Sequence, residues 1–251
     1  MLLAVSALKG YTILADDGRI GTVSDILFDD ESWRLRWLVV NTGTWLSERQ
    51  VLVHPSAIGK VDHDRQELPV RTSKAQIERS PNISRDRPVS LQMQSQLYDY
   101  YGWDPVWGGG YFGGGFGMMG SLGYSGMGGP PQPNPHGADE GDPHLRSTKA
   151  VTGSHIHATD GEIGHIENLL IDDGTWDIRY LIVDTKNWWF GQHVLISPYA
   201  VKGITWSDHT IELDVTRERV KASPPWDPIA MIDQVYEKKL HNHYGWQGYG
   251  F

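Results

Sequence analysis

The sequence predicts a mainly β protein made of two small barrels, each followed by a C-terminal amphipathic helix. Three observations predict it. The chain repeats itself without a gap, each copy holds short β-branched and aromatic runs between turn residues, and the apolar spacing turns helical at the end of each copy. Its 251 residues suit two domains of about 100. A content of 39% hydrophobic, 21% charged and 11% aromatic residues excludes wholesale disorder and a bare coiled coil. Cysteine is absent, which removes disulfide frameworks, thiolate zinc sites and cysteine nucleophiles together. A formal charge of -9 argues against a nucleic-acid partner, because phosphate contacts need a basic surface.

The repeat has a constant offset of 143 positions. It carries Asp17-Gly18 onto Asp160-Gly161, Asp29-Asp30 onto Asp172-Asp173, Trp33 onto Trp176 and Tyr101-Gly102-Trp103 onto Tyr244-Gly245-Trp246. About 27 of about 97 aligned positions are identical, which an ungapped chance match does not reach. The duplicated unit runs near 7–103 and 150–246. The expected organisation is a first barrel with its helix over 1–103, a Gly/Pro-rich linker over 104–149, and a second barrel with its helix over 150–251. Within the joint, residues 107–129 hold about a dozen of the 29 glycines, interleaved with aromatics, and Pro130, Pro131, Pro133 and Pro135 follow. Glycine at that density is costly to order and proline keeps a chain extended, so a flexible tether is expected. Self-association through the aromatic–glycine stretch is the alternative.

In each copy a short strand, Thr12-Ile13-Leu14 in the first, meets the turn pair Asp17-Gly18. A second strand runs from Ile20 to Phe28, and Asp29-Asp30-Glu31-Ser32 turns the chain. Arg36-Trp37-Leu38-Val39-Val40 and Arg179-Tyr180-Leu181-Ile182-Val183 read as central strands. Val51-Leu52-Val53 stops at Pro55, and the alternation of Leu68, Val70 and Thr72 gives a last half-buried strand. Asp227 and Pro228 then read as a helix start. Ile229, Ile232, Tyr236 and Leu240 recur at helical spacing, and Gly245 stops the helix. In the first copy Val89, Met93 and Leu97 precede Gly102 in the same way. The apolar face of each helix needs cover from its own barrel, the other copy or a partner.

The run Gly21-Thr22-Val23-Ser24-Asp25-Ile26-Leu27-Phe28-Asp29 followed by Arg36-Trp37-Leu38-Val39-Val40 resembles the PRC-barrel family. That β-barrel module is shared by the H subunit of photosynthetic reaction centres and a ribosome maturation factor. The second copy looks like the same module, with Asn168 where the first has Asp25. The resemblance implies a small, mostly antiparallel barrel whose relatives dock onto other macromolecules. No catalytic residue and no cofactor comes with it. The expected function is a non-catalytic protein-interaction or assembly module. Two alternatives stay open: a peripheral subunit of a membrane electron-transfer complex that tunes proton access, and an enzyme such as a hydrolase or a metal-binding protein.

His155, His157 and His165 are the candidate metal ligands, since His155-x-His157 on a strand turns both imidazoles to one side. Hydrogen-bonded or solvated histidines are the commoner outcome, and the first copy lacks them. The aspartates at the turns suit backbone capping better than a calcium loop, whose spacing they do not match. No Gly-x-Ser-x-Gly elbow or phosphate-loop ending occurs. The expected interface residues are Trp45, Trp188, Trp189, Phe190, Ile232, Tyr236 and Leu240. Either they cover their own barrel or they anchor a protein partner or a second copy. No stretch approaches a membrane span, though a place beside a membrane complex stays open, and the start is a poor signal peptide; cytoplasm is the default.

Overall fold

The computed structural model describes residues 1–80, 97–98, 100–102, 142–185, 192–226 and 232–250. The first repeat holds β1 (Leu2–Ala4), α1 (Val5–Leu8), β2 (Thr12–Ala15), β3 (Gly18–Asp29), β4 (Leu35–Asn41), β5 (Gln50–Val53), β6 (Glu67–Pro69) and α2 (Lys74–Arg79). The second holds β7 (Leu145–Ser147), α3 (Thr148–Val151), β8 (His155–Ala158), β9 (Gly161–Asp172), β10 (Ile178–Asp184) and β11 (His193–Ile196). It continues with β12 (Val201–Thr205), β13 (Thr210–Leu213), α4 (Arg217–Lys221) and α5 (Gln234–Tyr244). The offset of 143 carries every element of the first repeat, from β1 onto β7 through to α2 onto α4, and β12 matches a stretch of the first repeat with isolated bridges only.

Each repeat builds one strongly bent sheet. Its middle is the order β5-β4-β3-β2-β6 in the first and β11-β10-β9-β8-β13-β12 in the second. The 12-residue strand β3 carries the bend, because its first half pairs with β2 and its second half pairs elsewhere. The close crossing of β3 on β4 explains Gly21. A Cβ there would stand 2.0 Å from the Asn41 carbonyl oxygen, and Gly164 meets the Asp184 carbonyl at the same 2.0 Å. Apolar residues on the concave sides fill the interiors, with Ile13, Ile20, Ile26, Phe28, Trp37 and Leu68 in the first and Ile156, Ile163, Tyr180, Leu181 and Ile211 in the second.

The barrels do not close within their own copies. β7, which opens the second repeat, pairs with β3 of the first through Leu27 with Ser147, Phe28 with Arg146 and Asp29 with Leu145. β1 pairs reciprocally with β9 through Leu2 with Asp172, Leu3 with Ile171 and Ala4 with Leu170. Two expectations are corrected here. The repeat reaches back at least to Leu2 rather than beginning near residue 7, and residues 142–149 are structured rather than linker. The physical reason is the outer edge of β3 and β9, whose backbone groups need partners and whose own copy has no strand left to supply them. Asp25 Oδ2 and Oδ1 accept the hydroxyls of Ser147 and Thr148 at 2.5 and 3.1 Å. Asn168 serves the same purpose by binding Ser6 through its Oδ1 and Nδ2. The substitution at this position therefore changes the charge and keeps the task.

The second-copy helix starts later than expected. Asp233 caps it, with its carboxylate accepting the Tyr236 N–H at 2.7 Å, and Gly245 ends it at φ +72°. Asp227, Pro228 and Ile229 lie outside the described residues, as do Val89, Met93 and residues 103–141 of the joint. Residues 97–98 and 100–101 of the first copy are helical, and Gly102 follows at φ +64°. Among the described residues no helix is long and apolar enough to cross a membrane.

Two expected outcomes test this arrangement. Because the chain has no cysteine of its own, Leu27→Cys with Ser147→Cys gives an intramolecular disulfide, read as a faster non-reducing gel band, only if β7 lies on β3. Gly21→Ala lowers unfolding free energy in urea by at least about 2 kcal/mol, since the new Cβ is relieved only by parting β3 from β4.

Candidate functional site

The two repeats meet around a pseudo-two-fold axis, on which Arg34 faces its own counterpart Asp177. The Asp29 carboxylate accepts the Ser32 N–H and hydroxyl at 2.8 Å, while Asp172 accepts the Gly174 and Thr175 N–H groups at 2.7 and 3.1 Å. The turn aspartates thus do backbone work, as their residue type predicts. The turns deliver Trp33 and Trp176 into left-handed backbone at φ 56° and 61°, which is uncommon for so bulky a residue. That conformation aims their carbonyls across the axis, where Trp33 accepts from Ile178 N–H at 2.8 Å and Trp176 from Leu35 N–H at 2.9 Å. On the axis itself Arg34 Nε donates to Asp177 Oδ1 at 2.6 Å.

The next aspartate of each turn also reaches across. Asp30 accepts His144 Nδ1 at 3.0 Å and Trp206 Nε1 at 2.9 Å, with Arg146 Nε 3.1 Å away. Its counterpart Asp173 takes the amino group of Met1 and His63 Nε2, the latter at 2.8 Å. Burial works to raise the Asp173 carboxyl, but these two donors overrule it and hold the group below the usual carboxylate range. For His144 burial opposes the charge, yet Asp30, Glu31 and Asp29 outweigh it and its pKa stands above the ordinary value.

Two matched clefts flank the axis. One, of about 620 Å³, lies between Pro55–Gly59 with Arg71 of the first repeat and Asp173, Gly174 and Trp176 of the second, with Tyr101 and Gly102 at its side. The other, of about 440 Å³, lies between β12 of the second repeat and Asp30, Glu31 and Trp33 of the first, beside Pro143, His144 and Arg146. The frames are equivalent and the linings have diverged: Gly174 answers Glu31, and Gly59 answers Lys202.

Under α5 lies a second polar cluster. The Tyr180 hydroxyl sits 3.0 Å from Glu237 Oε1 and 2.8 Å from His241 Nε2, while His241 Nδ1 donates to the Gln247 carbonyl at 2.6 Å. Arg179 meets Asp172 at 2.5 Å and Glu237 at 3.6 Å, and stacks over Tyr249. Burial drives the Tyr180 and Tyr249 phenols well above their ordinary values. Burial also lowers the pKa of His241; the Gln247 carbonyl pulls the other way and Arg179 adds to the depression. In the first repeat Trp37 and His54 pack on Tyr98 at 5.3 and 5.1 Å, and Arg36, the counterpart of Arg179, stands beside Tyr98 and Asp29.

The sequence-predicted residues fall as follows. Leu240 is 1% exposed and belongs to the buried core, and Ile232 and Tyr236 are half-buried. Tyr180 of the same repeat holds the helix through Glu237 and His241, while Val235 on the helix is 74% exposed. Trp45, 39% exposed, donates its indole N–H to the Ile20 carbonyl beneath Lys74. Trp188, Trp189 and Phe190 lie outside the described residues. His155 pairs with Glu162 at 3.0 Å, and His165 stands opposite it in the ladder. Among the described residues no group of three His, Cys, Asp or Glu is placed to hold a metal ion. Sequence reasoning missed His63, His144, Arg146 and the Arg34–Asp177 pair. The one available signal was the offset itself, which sets Arg34 against Asp177 with opposite charge.

A family model for the PRC-barrel domain matches residues 2–77 and 156–220, more than half of the chain. No curated protein matches it.

His241 makes the pH behaviour predictable. Its folded pKa lies below its unfolded one, so the stability it contributes is full above about pH 6.5 and is lost as pH falls from there through the lowered folded value. His144 has the opposite sign, full below about pH 6.5 and lost as pH rises through its raised value. Thermal melts of His241→Asn should lose less stability than the parent on going from about pH 7 to about pH 5.

Proposed function

The chain belongs to the PRC-barrel domain family, and from that premise we propose that it is a non-catalytic docking scaffold. The observation that carries this reading is the pair of matched clefts with diverged linings on one pseudo-symmetric frame. A duplicated frame with two different surfaces suits two different protein contacts. The titratable clusters around the axis and under α5 support it as well, because their members bond one another: Asp30 with His144 and Trp206, Asp173 with His63, Tyr180 with Glu237 and His241. Side chains spent on joining two repeats and holding a helix are doing structural duty. The acidic balance, -9 overall, favours protein over nucleic acid as the partner, and the cytoplasm is the compartment that goes with this reading.

The exposed Tyr199, 52% accessible and stacked on Tyr249 at 5.1 Å, adds an aromatic contact surface beside the second repeat's helix. Gly59→Trp and Gly203→Trp fill the first and second cleft respectively, at positions where a Cβ meets ordinary or open space. Each should leave the melting temperature within a few degrees of the parent and abolish capture of one partner from native lysate by the full chain. Equal capture by the parent and both variants would refute the clefts as docking surfaces. Recovery of a membrane electron-transfer complex would instead favour the peripheral-subunit reading.

A further inference from the structure

We propose that the second cleft takes an extended peptide segment of a protein partner, which adds itself as a strand to the open edge of β12. The proposal deepens the docking reading above and rests on it. β12 ends the strand order of the second sheet, with β13 on one side and, among the described residues, no strand on the other. Four successive residues, Val201, Lys202, Gly203 and Ile204, line the cleft. A cleft over one sheet face would meet only every second residue, so this one runs along the edge. His155 donates its N–H to the His209 carbonyl, and Asp214 donates its N–H to the Ala200 carbonyl. On β13 the odd-numbered residues therefore spend their amides on β8, and the even-numbered ones spend theirs on β12. Ile204 lies opposite odd-numbered Ile211, so its N–H and C=O point away from β13 to the open edge. Neither group has a hydrogen-bond partner among the described residues.

Unspent backbone donors and acceptors along a strand edge are met best by another extended chain. The wall of Asp30, Trp33, His144 and Arg146 stands across the cleft, and a volume of about 440 Å³ suits one extended segment rather than the edge of a second sheet. The charges of that wall are spent on one another: Asp30 meets His144 at 3.0 Å and Arg146 at 3.1 Å, and Glu31 stands 3.6 Å from His144. Lys202 is exposed and makes no ion pair among the described residues. A carboxylate on the incoming segment answers it, and apolar residues answer the half-buried Val201 and Ile204. Lysine on an edge also discourages pairing with a second copy of the same edge. The first cleft offers no such edge. The stretch that matches β12 there, Ile58 to Asp62, forms only isolated bridges, Ile58 with Val70 and Asp62 with Glu67. Strand addition therefore sets the two clefts apart.

Amide hydrogen exchange, read by nuclear magnetic resonance on the full chain, tests this with the end-capped peptide Thr-Val-Glu-Val-Thr-Val as probe. Without peptide the Ile204 N–H should exchange faster than the Ile211 N–H, which is bonded to β8. Millimolar peptide should slow Ile204 at least about tenfold, and N-methylation of successive peptide residues should weaken binding at least about tenfold, since about two net hydrogen bonds are lost. Lys202→Glu, with the melting temperature confirming its fold, should bind this peptide about threefold more weakly and recover with Lys in place of the peptide's Glu. An Ile204 N–H as slow as that of Ile211 without peptide would put another part of this chain on the edge and overturn the proposal. So would binding that leaves Ile204 unchanged, binding that tolerates N-methylation, an unaltered peptide preference in Lys202→Glu, or no binding at all. A chain that ignores the peptide yet loses partner capture on Gly203→Trp sinks strand addition and spares the cleft reading, so the two failures are distinguishable.

Discussion

The exchange of the opening strand between repeats is the constraint on which the rest of the molecule depends. A bent strand of 12 residues has one edge too many: β4 takes one side of β3, β2 takes only part of the other, and the remaining N–H and C=O groups near Asp29 need a ladder. Leaving them bare at a buried edge is expensive, and β7 removes the cost. Because β1 does the same for β9, neither half is complete without the other. The chain is thus an intramolecular pseudo-dimer rather than two beads on a string.

That symmetry dictates the chemistry at the axis. In a true two-fold dimer a residue on the axis meets an identical residue, and a charge there meets its like. Duplication within one chain frees the two positions to differ, and Arg34 with Asp177 converts a repulsion into an ion pair at 2.6 Å. The same freedom lets Asp30 be held by His144 and Trp206 while Asp173 is held by Met1 and His63. Equivalent frames with different side chains also account for the two clefts, and for a second repeat that anchors its helix through Tyr180, Glu237 and His241 where the first stacks Trp37, His54 and Tyr98.

Much of this was legible in the chain. The gapless offset placed every strand of the first repeat opposite its counterpart in the second, the leading aspartate of each turn, Asp29 and Asp172, proved to be a backbone acceptor, and Gly245 ended its helix. The fold class and the duplication needed only local alternation and repetition. The clefts were not legible, because their walls come from different repeats and their residues, such as Gly59 and Trp176, carry no distinctive pattern. Leu240 shows the related failure: helical spacing marked it as apolar and facing inward, but not which surface would cover it.

The sequence by itself determined the number of repeats, their register against each other, the identity of most core positions and the sites of the turns. Each of these is written in side-chain type and spacing within a few residues of the feature it governs. Tertiary structure alone decided which barrel receives Leu2–Ala4 and which receives Leu145–Ser147. Strand pairing is made by backbone amides that every residue carries, so a short apolar strand fits the edge of either copy. The choice falls to the geometry that lets both edges be satisfied at once.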